Sequence, residues 1–279
     1  MTDRRTIRLE ISSGVAHIIL NRPEAMNAIN ALMIEELSRL LDDLAQDDSV
    51  CAIVVSGAGR AFSSGMDLKE DAAAGTRSLG EWHALLEGHL DFLLRFWDHP
   101  KPTVAAVHGY CLAAACELAM CCDITIAEEG TLLGEPELLF GSVITAMMMP
   151  WLTGPKVAKE ILLSGEDQVT AERAERIGLV NRVVPSGKHV EEALALARRL
   201  ARIDPQALRL TKEAINRTYE IMGLKSAMKA NLDLAAMIEG LDTPSRRRFR
   251  DLVRRDGMAA ALKWRRALLR RGPAQPPPR

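Results

Sequence analysis

Apolar and polar positions change period several times along the chain. Over residues 7–20 (IRLEISSGVAHIIL) they alternate around a Ser-Ser-Gly turn, the two-residue period of strands, and predict a β-hairpin. Asn21-Arg22-Pro23 stops the second strand. Leucines at 32, 37, 40, 41 and 44 then fall on one stripe and predict a helix over residues 30–45. Residues 50–56 (VCAIVVS) form an unbroken apolar run closed by Gly57, which reads as a buried strand. An irregular loop over residues 59–71 leads to a helix over 81–97, ended by Asp98-His99-Pro100. A strand over 103–107, a turn at Gly109, an Ala-rich helix over 112–120 and a strand over 123–127 follow. This alternation predicts an α/β fold with crossover connections. The strands at 51–56, 103–107 and 123–127 make its sheet core, and chemistry is expected on the loops at their C-terminal ends.

Beyond Pro150 the pattern turns helical, over 156–163, 171–177, 190–203, 205–222 and 224–238, with glycines at 165, 178, 187 and 223 between them. Residues 246–269 are amphipathic and basic, and 272–279 (GPAQPPPR) read as a disordered tail. The organisation expected is an α/β core over 1–200, a helical region over 201–271 too apolar on one face to stand alone in water, and the tail.

Composition adds limits. Of the 279 residues 48% are hydrophobic and only 4% aromatic, so the core is aliphatic. A net charge of -1 argues against a nucleic-acid binder. Residues 245–279 nonetheless hold twelve Lys or Arg against two Asp, either a solvated face or a platform for phosphates. Cys111, Cys116, Cys121 and Cys122 crowd one apolar segment, with Cys51 apart; the pattern suits reduced thiols in a cytoplasmic protein better than a metal site or disulfides. The start, MTDRRTIRLE, has no apolar signal core, and the apolar run over 110–122 is broken by Glu117 and too short for a bilayer, so no membrane partner is expected.

Three segments could carry chemistry. In RAFSSGMDLK (60–69), Gly65 permits φ > 0, so the Met66 amide can point outward as a free donor, although taken alone the segment reads better as an ordinary surface turn. In HGYCLAAACELAMCC (108–122), small residues open a helix whose first-turn amides are free, as stabilising an oxyanion requires, and Glu117 sits one turn on among apolar neighbours. In LGEPELLFG (133–141), Glu137 follows Pro136 before an apolar run; alone it is as much a helix-start charge as a catalyst.

Together these segments resemble the crotonase family, the enoyl-CoA hydratases and isomerases. The resemblance spans about residues 6–269 and is carried in order by LNRPEAMNAIN (20–30), AFSSGMDLKE (61–70), KPTVAAVHGYCLAAACELAMCCDI (101–124) and GEPELLFG (134–141). It implies a crotonase-like spiral of ββα repeats, a helical C-terminal trimerisation region, and a homotrimer or a hexamer made of two trimers. It also implies an acyl-CoA substrate whose thioester carbonyl sits between the amides of Met66 and Ala114, with CoA contacts at Ala25, Met26, Ser64, Asp67 and Leu68. Lys263 or Arg265 would be the basic residue for the CoA phosphates. No metal or redox cofactor is implied, CoA being part of the substrate.

The resemblance to the hydratases lies in two glutamates. Glu117 would deprotonate water attacking C3, and Glu137 would protonate C2. The family's isomerases commonly keep only the carboxyl at position 137, so the pair favours hydration of an enoyl-CoA over double-bond migration. Other thioester chemistry, or a CoA-binding member without activity, are the alternatives. Two departures stand out: Ile144-Thr145-Ala146-Met147-Met148 replaces the family's Pro-Gly-Ala-Gly-Gly, which predicts a reshaped acyl pocket, and Ala113-Ala114-Ala115 replaces a glycine run, where an Ala amide donates as well as a Gly amide.

Overall fold

The computed structural model describes residues 4–73 and 77–270. The chain opens with β1 (Ile7–Ser12) and β2 (Val15–Leu20), paired antiparallel through Ser13 and Gly14, whose φ of 53° and 74° suit a tight hairpin turn. There follow β3 (Ala52–Gly57), β4 (Thr103–Val107), β5 (Tyr110–Leu112), β6 (Ile124–Glu128), β7 (Leu132–Gly134), β8 (Val169–Thr170) and β9 (Arg182–Val184). One sheet runs in the order β1-β2-β3-β4-β6-β9, parallel from β2 onward; a smaller one runs β5-β7-β8.

Side chains along β3 go to opposite faces, and both faces are covered. Ile53 and Val55 join the main core with leucines of helices Ala31–Gln46 and Leu79–Asp98, while Ala52 and Val54 pack against helix His189–Leu200. Asn30 caps the first of these helices by accepting from the Met33 amide at 3.1 Å, and Ser78 with Glu81 forms a capping box on the second.

Several expected boundaries move. The Ala-rich helix starts at Ala114, not at 112, because residues 110–112 form β5 and pair with β7. The loop expected over 59–71 already turns helical at Leu68. The helix expected over 224–238 breaks at Asn231 into Leu224–Ala230 and Leu232–Gly240, and the basic one breaks at Gly257 (φ 85°) into Pro244–Asp256 and Met258–Arg270. The C-terminal helices share the main core through Leu224, Met228, Leu232, Ala235 and Ala236. Helix Pro205–Ile221 is tied to the sheet by buried Lys212, whose Nζ lies 2.6 Å from Asp123 Oδ2. The tail over 272–279 lies outside the described residues.

Candidate active site

Two stretches of backbone form one wall of the site. The chain over 62–65 runs beside β5: Phe62 N–H donates to His108 O, Ser63 N–H to Tyr110 O, and Leu112 N–H to Ser63 O. Gly65 (φ 91°) is thereby pressed against the start of helix Ala114–Cys121. A Cβ at Gly65 would lie 2.5 Å from Ala113 Cβ and 3.2 Å from the Ala114 nitrogen, so only glycine leaves space between the two segments. Among the described residues neither the Met66 nor the Ala114 N–H finds an acceptor. The two expected donors are therefore brought to one place.

The neighbouring loop joins this wall through Asn27, a residue that sequence reasoning passed over. Its side chain donates to Ala58 O at 2.8 Å, Ala61 O at 2.9 Å and Phe62 O at 3.1 Å, and its Oδ1 accepts from Arg22 N–H. Ser64 N–H donates to Met26 O, and Arg22 pairs with Asp67 at 2.9 Å. Ala25, Met26, Ser64, Asp67 and Leu68 thus share one half-buried rim beside Met66.

Carboxyl groups gather one turn further along the helix that Ala114 begins and in the segment that follows β7. Glu117 is buried on helix Ala114–Cys121, and its oxygens accept from Thr145 N–H at 2.9 Å and Ala146 N–H at 2.6 Å. The stretch that replaces the family's glycines therefore keeps its amides and directs two of them at Glu117, while Met148 and Met149 are buried in the core. Glu137 begins the short helix Glu137–Phe140, which Gly141 (φ 76°) ends. Glu135, fully buried, stands beside it and was not singled out from the sequence.

Oxygens of Glu117, Glu135 and Glu137 all lie within 4.8 Å of one another. At an effective dielectric near 20, two charges at that spacing repel by roughly 3–4 kcal/mol. The three cannot all be ionised. Burial pushes Glu117 up to about 7, with the Ala146 and Thr145 amides pulling it back. Glu137 is held well above the usual carboxyl range by burial and by the nearby Glu117 charge. Glu117, with two amides to receive its charge, is the better placed of the two to ionise, and Glu137 the better placed to hold a proton. Among the described residues this trio is also the one grouping with metal-cluster spacing. Hard cations want about six oxygens, and the other acidic groups acting on the trio are the thiols Cys116 and Cys121.

The C-terminal helices brace this part of the site. Ser142 Oγ donates to Glu239 Oε1 at 2.5 Å, and Arg246 pairs with Glu239 at 2.8 Å while its stem packs on Gly141. Phe140 and Phe249 rings lie 6.0 Å apart. Much of the basic segment pairs with its own acids: Arg247 and Arg250 with Asp242, Arg254 with Asp251. Of the two residues expected at the phosphates, Lys263 is exposed and Arg265 turns inward to Ser245.

The chain is similar to known proteins along most of its length. Residues 10–243 match the enoyl-CoA hydratase/isomerase family. A probable enoyl-CoA hydratase of Rhizobium meliloti is 36% identical over 94% of this chain and 96% of its own. The 2,3-dehydroadipyl-CoA hydratase of Escherichia coli is 36% identical over 73% of this chain and 79% of its own. The crystal structure of an enoyl-CoA hydratase/isomerase from Xanthobacter autotrophicus superposes with a TM-score of 0.92 at 47% identity, over 95% of this chain and 98% of that one.

Proposed function

Because this chain belongs to the enoyl-CoA hydratase/isomerase family, we propose that it adds water across the 2,3 double bond of an enoyl-CoA thioester. The observation that carries this reading is the contrast between two neighbouring carboxyls. Glu117 has two peptide N–H groups to receive its charge, and Glu137 has an oxygen that meets no N–H donor.

In the reaction, Glu117 takes a proton from water as the water oxygen bonds to C3. The π electrons move toward the thioester, and the enolate oxygen is held by the Met66 and Ala114 amides, each worth about 2.7–4 kcal/mol in such sites. Glu137 gives its proton to C2. After product leaves, the proton on Glu117 returns to Glu137, and the site is reset with no net proton change.

CoA would lie along the rim of Ala25, Met26, Ser64, Asp67 and Leu68. We read no resident metal or redox cofactor and no nucleic-acid partner. A homotrimer or hexamer is supported by exposed apolar residues on the C-terminal helices, among them Leu210, Ile215, Leu234 and Met237. Among the described residues no helix is long and apolar enough to cross a membrane. Five free cysteines suit a reducing cytoplasm.

The test is the loss of conjugated absorbance when purified protein meets crotonyl-CoA. Hydration should rise with pH through about 7, as Glu117 ionises. Glu117→Gln should lower kcat by about 10²–10⁴-fold while a saturated acyl-CoA still binds. Full hydratase activity in that variant would remove the two-carboxyl mechanism. Turnover of 3-enoyl-CoA alone would make the protein an isomerase.

A further inference from the structure

Glu135 has no task in the scheme above, yet no water reaches it. Its peptide N–H donates to Glu166 O at 3.0 Å, and at the preceding Gly134 a Cβ would fall 2.1 Å from that same oxygen. The backbone is therefore held close against residue 166. Neither of its carboxyl oxygens meets an N–H donor, and the side chain it can share a hydrogen bond with is Glu137.

A buried carboxylate that meets no N–H donor is the costliest form such a group can take. The groups acting on Glu135 are Glu137, Cys116 and Glu117, all acidic, so nothing offers a counter-charge. The neutral acid is then the form the site holds, and a neutral carboxyl has one O–H to give. Glu117 already receives two amides, whereas Glu137 Oε2 meets no N–H donor.

We propose that Glu135 is a positioning residue for Glu137: a permanently protonated acid whose O–H is donated to the Glu137 carboxylate each time Glu137 has delivered its proton to substrate. Glu135 gives a hydrogen bond and keeps its proton, so the proton balance of hydration is unchanged. Burial and the Glu137 charge both push its ionisation far above the usual carboxyl range, in keeping with that role. The catalytic half of the inference rests on the hydration reading; the protonation half does not.

Two variants test it. Glu135→Gln keeps a donor, in its amide N–H, and should retain most of kcat. Glu135→Leu removes the donor and should lose roughly 10- to 100-fold in kcat at unchanged KM, the effect of one hydrogen bond to a charged group. In the Leu variant the alkaline limb of the kcat profile, where Glu137 loses its proton, should move to higher pH, because its carboxylate has lost a donor. A limb that moves to lower pH would mean that Glu135 is charged and repels Glu137. That result, or an unchanged kcat in the Leu variant, overturns the proposal. Infrared spectroscopy at neutral pH needs no turnover: one protonated-carboxyl band should vanish in Glu135→Gln, and its persistence would overturn the proposal as well. If crotonyl-CoA were not hydrated even by the unmodified protein, the hydration reading would fail and the band would still decide the state of Glu135.

Discussion

Within the site one part of the chemistry falls to peptide N–H groups and another to carboxyl side chains, and helix Ala114–Cys121 contributes to both. The amide wall is fixed by backbone shape. Met26, Asn27, Gly65 and Ala113 all have positive φ, and the Asn27 side chain ties three carbonyls of the facing loop. Among the carboxyl groups, Glu117 is fixed by the Thr145 and Ala146 amides. The short helix Glu137–Phe140 is held from afar, by Glu239, Arg246 and Phe249 of the C-terminal helices. A group that only has to donate can be built from any residue with the right backbone, whereas a group that must gain and lose a proton needs a chosen side chain in a chosen dielectric.

The strongest way to break this comparison is Gly65→Ala. The methyl would overlap Ala113 Cβ and crowd the Ala114 nitrogen, in a backbone conformation that disfavours any Cβ. Loss of even one such donor costs about 10²–10³ in kcat, and the displaced loop should take both. We expect kcat on crotonyl-CoA to fall by at least that factor, with the pH profile retaining its rise through about 7 because Glu117 is untouched. If the limb moves as well, the two parts are not independent.

A smaller effect tests the far bracing. Arg246→Met leaves Glu239 buried without its counter-charge, a change that typically costs about 3–5 kcal/mol when one partner of a buried pair is removed. Thermal unfolding should shift down accordingly. The comparison predicts that binding of a saturated acyl-CoA survives at temperatures where the variant is folded, while kcat drops because the helix carrying Glu137 loses its support. Equal losses in binding and turnover would show that the bracing serves the whole molecule.

How far the sequence reveals this site depends on the length of the signal. The hairpin and the helices at 31–46 and 79–98 are long enough for a pattern to show, and β3 and β4 show as unbroken apolar runs. β7, β8 and β9 have two or three residues each and carry no period. Gly65 and the alanines at 113–115 hint at free backbone donors, but the pairing of Met66 with Ala114 comes from the family resemblance and not from the residues alone. Glu135 is not legible, because in GEPEL it reads the same as Glu137, and only burial separates an acid that meets no N–H donor from a surface one. Asn27 announces itself only through its left-handed φ of 52°, which asparagine tolerates better than most residues.

The smallest expected effect concerns the strain in the amide wall. Ala113 sits at φ 58° and ψ −138°, a region that is nearly reserved for glycine and costs a residue with a Cβ about 1–3 kcal/mol. Its N–H donates to Gly134 O at 2.8 Å and its carbonyl accepts from Cys116 and Glu117, so the surroundings hold it there. Ala113→Gly should relieve that strain, at the expense of about 0.4–1 kcal/mol through a more disordered unfolded chain. The net gain of about 1 kcal/mol would raise Tm by roughly 2–4 °C. Catalysis should hardly change, since the Ala114 amide keeps its place at the start of the helix. A lower Tm would show that the methyl contact of Ala113 against Gly65 outweighs the strain, and that the amide wall is set by packing as much as by backbone shape.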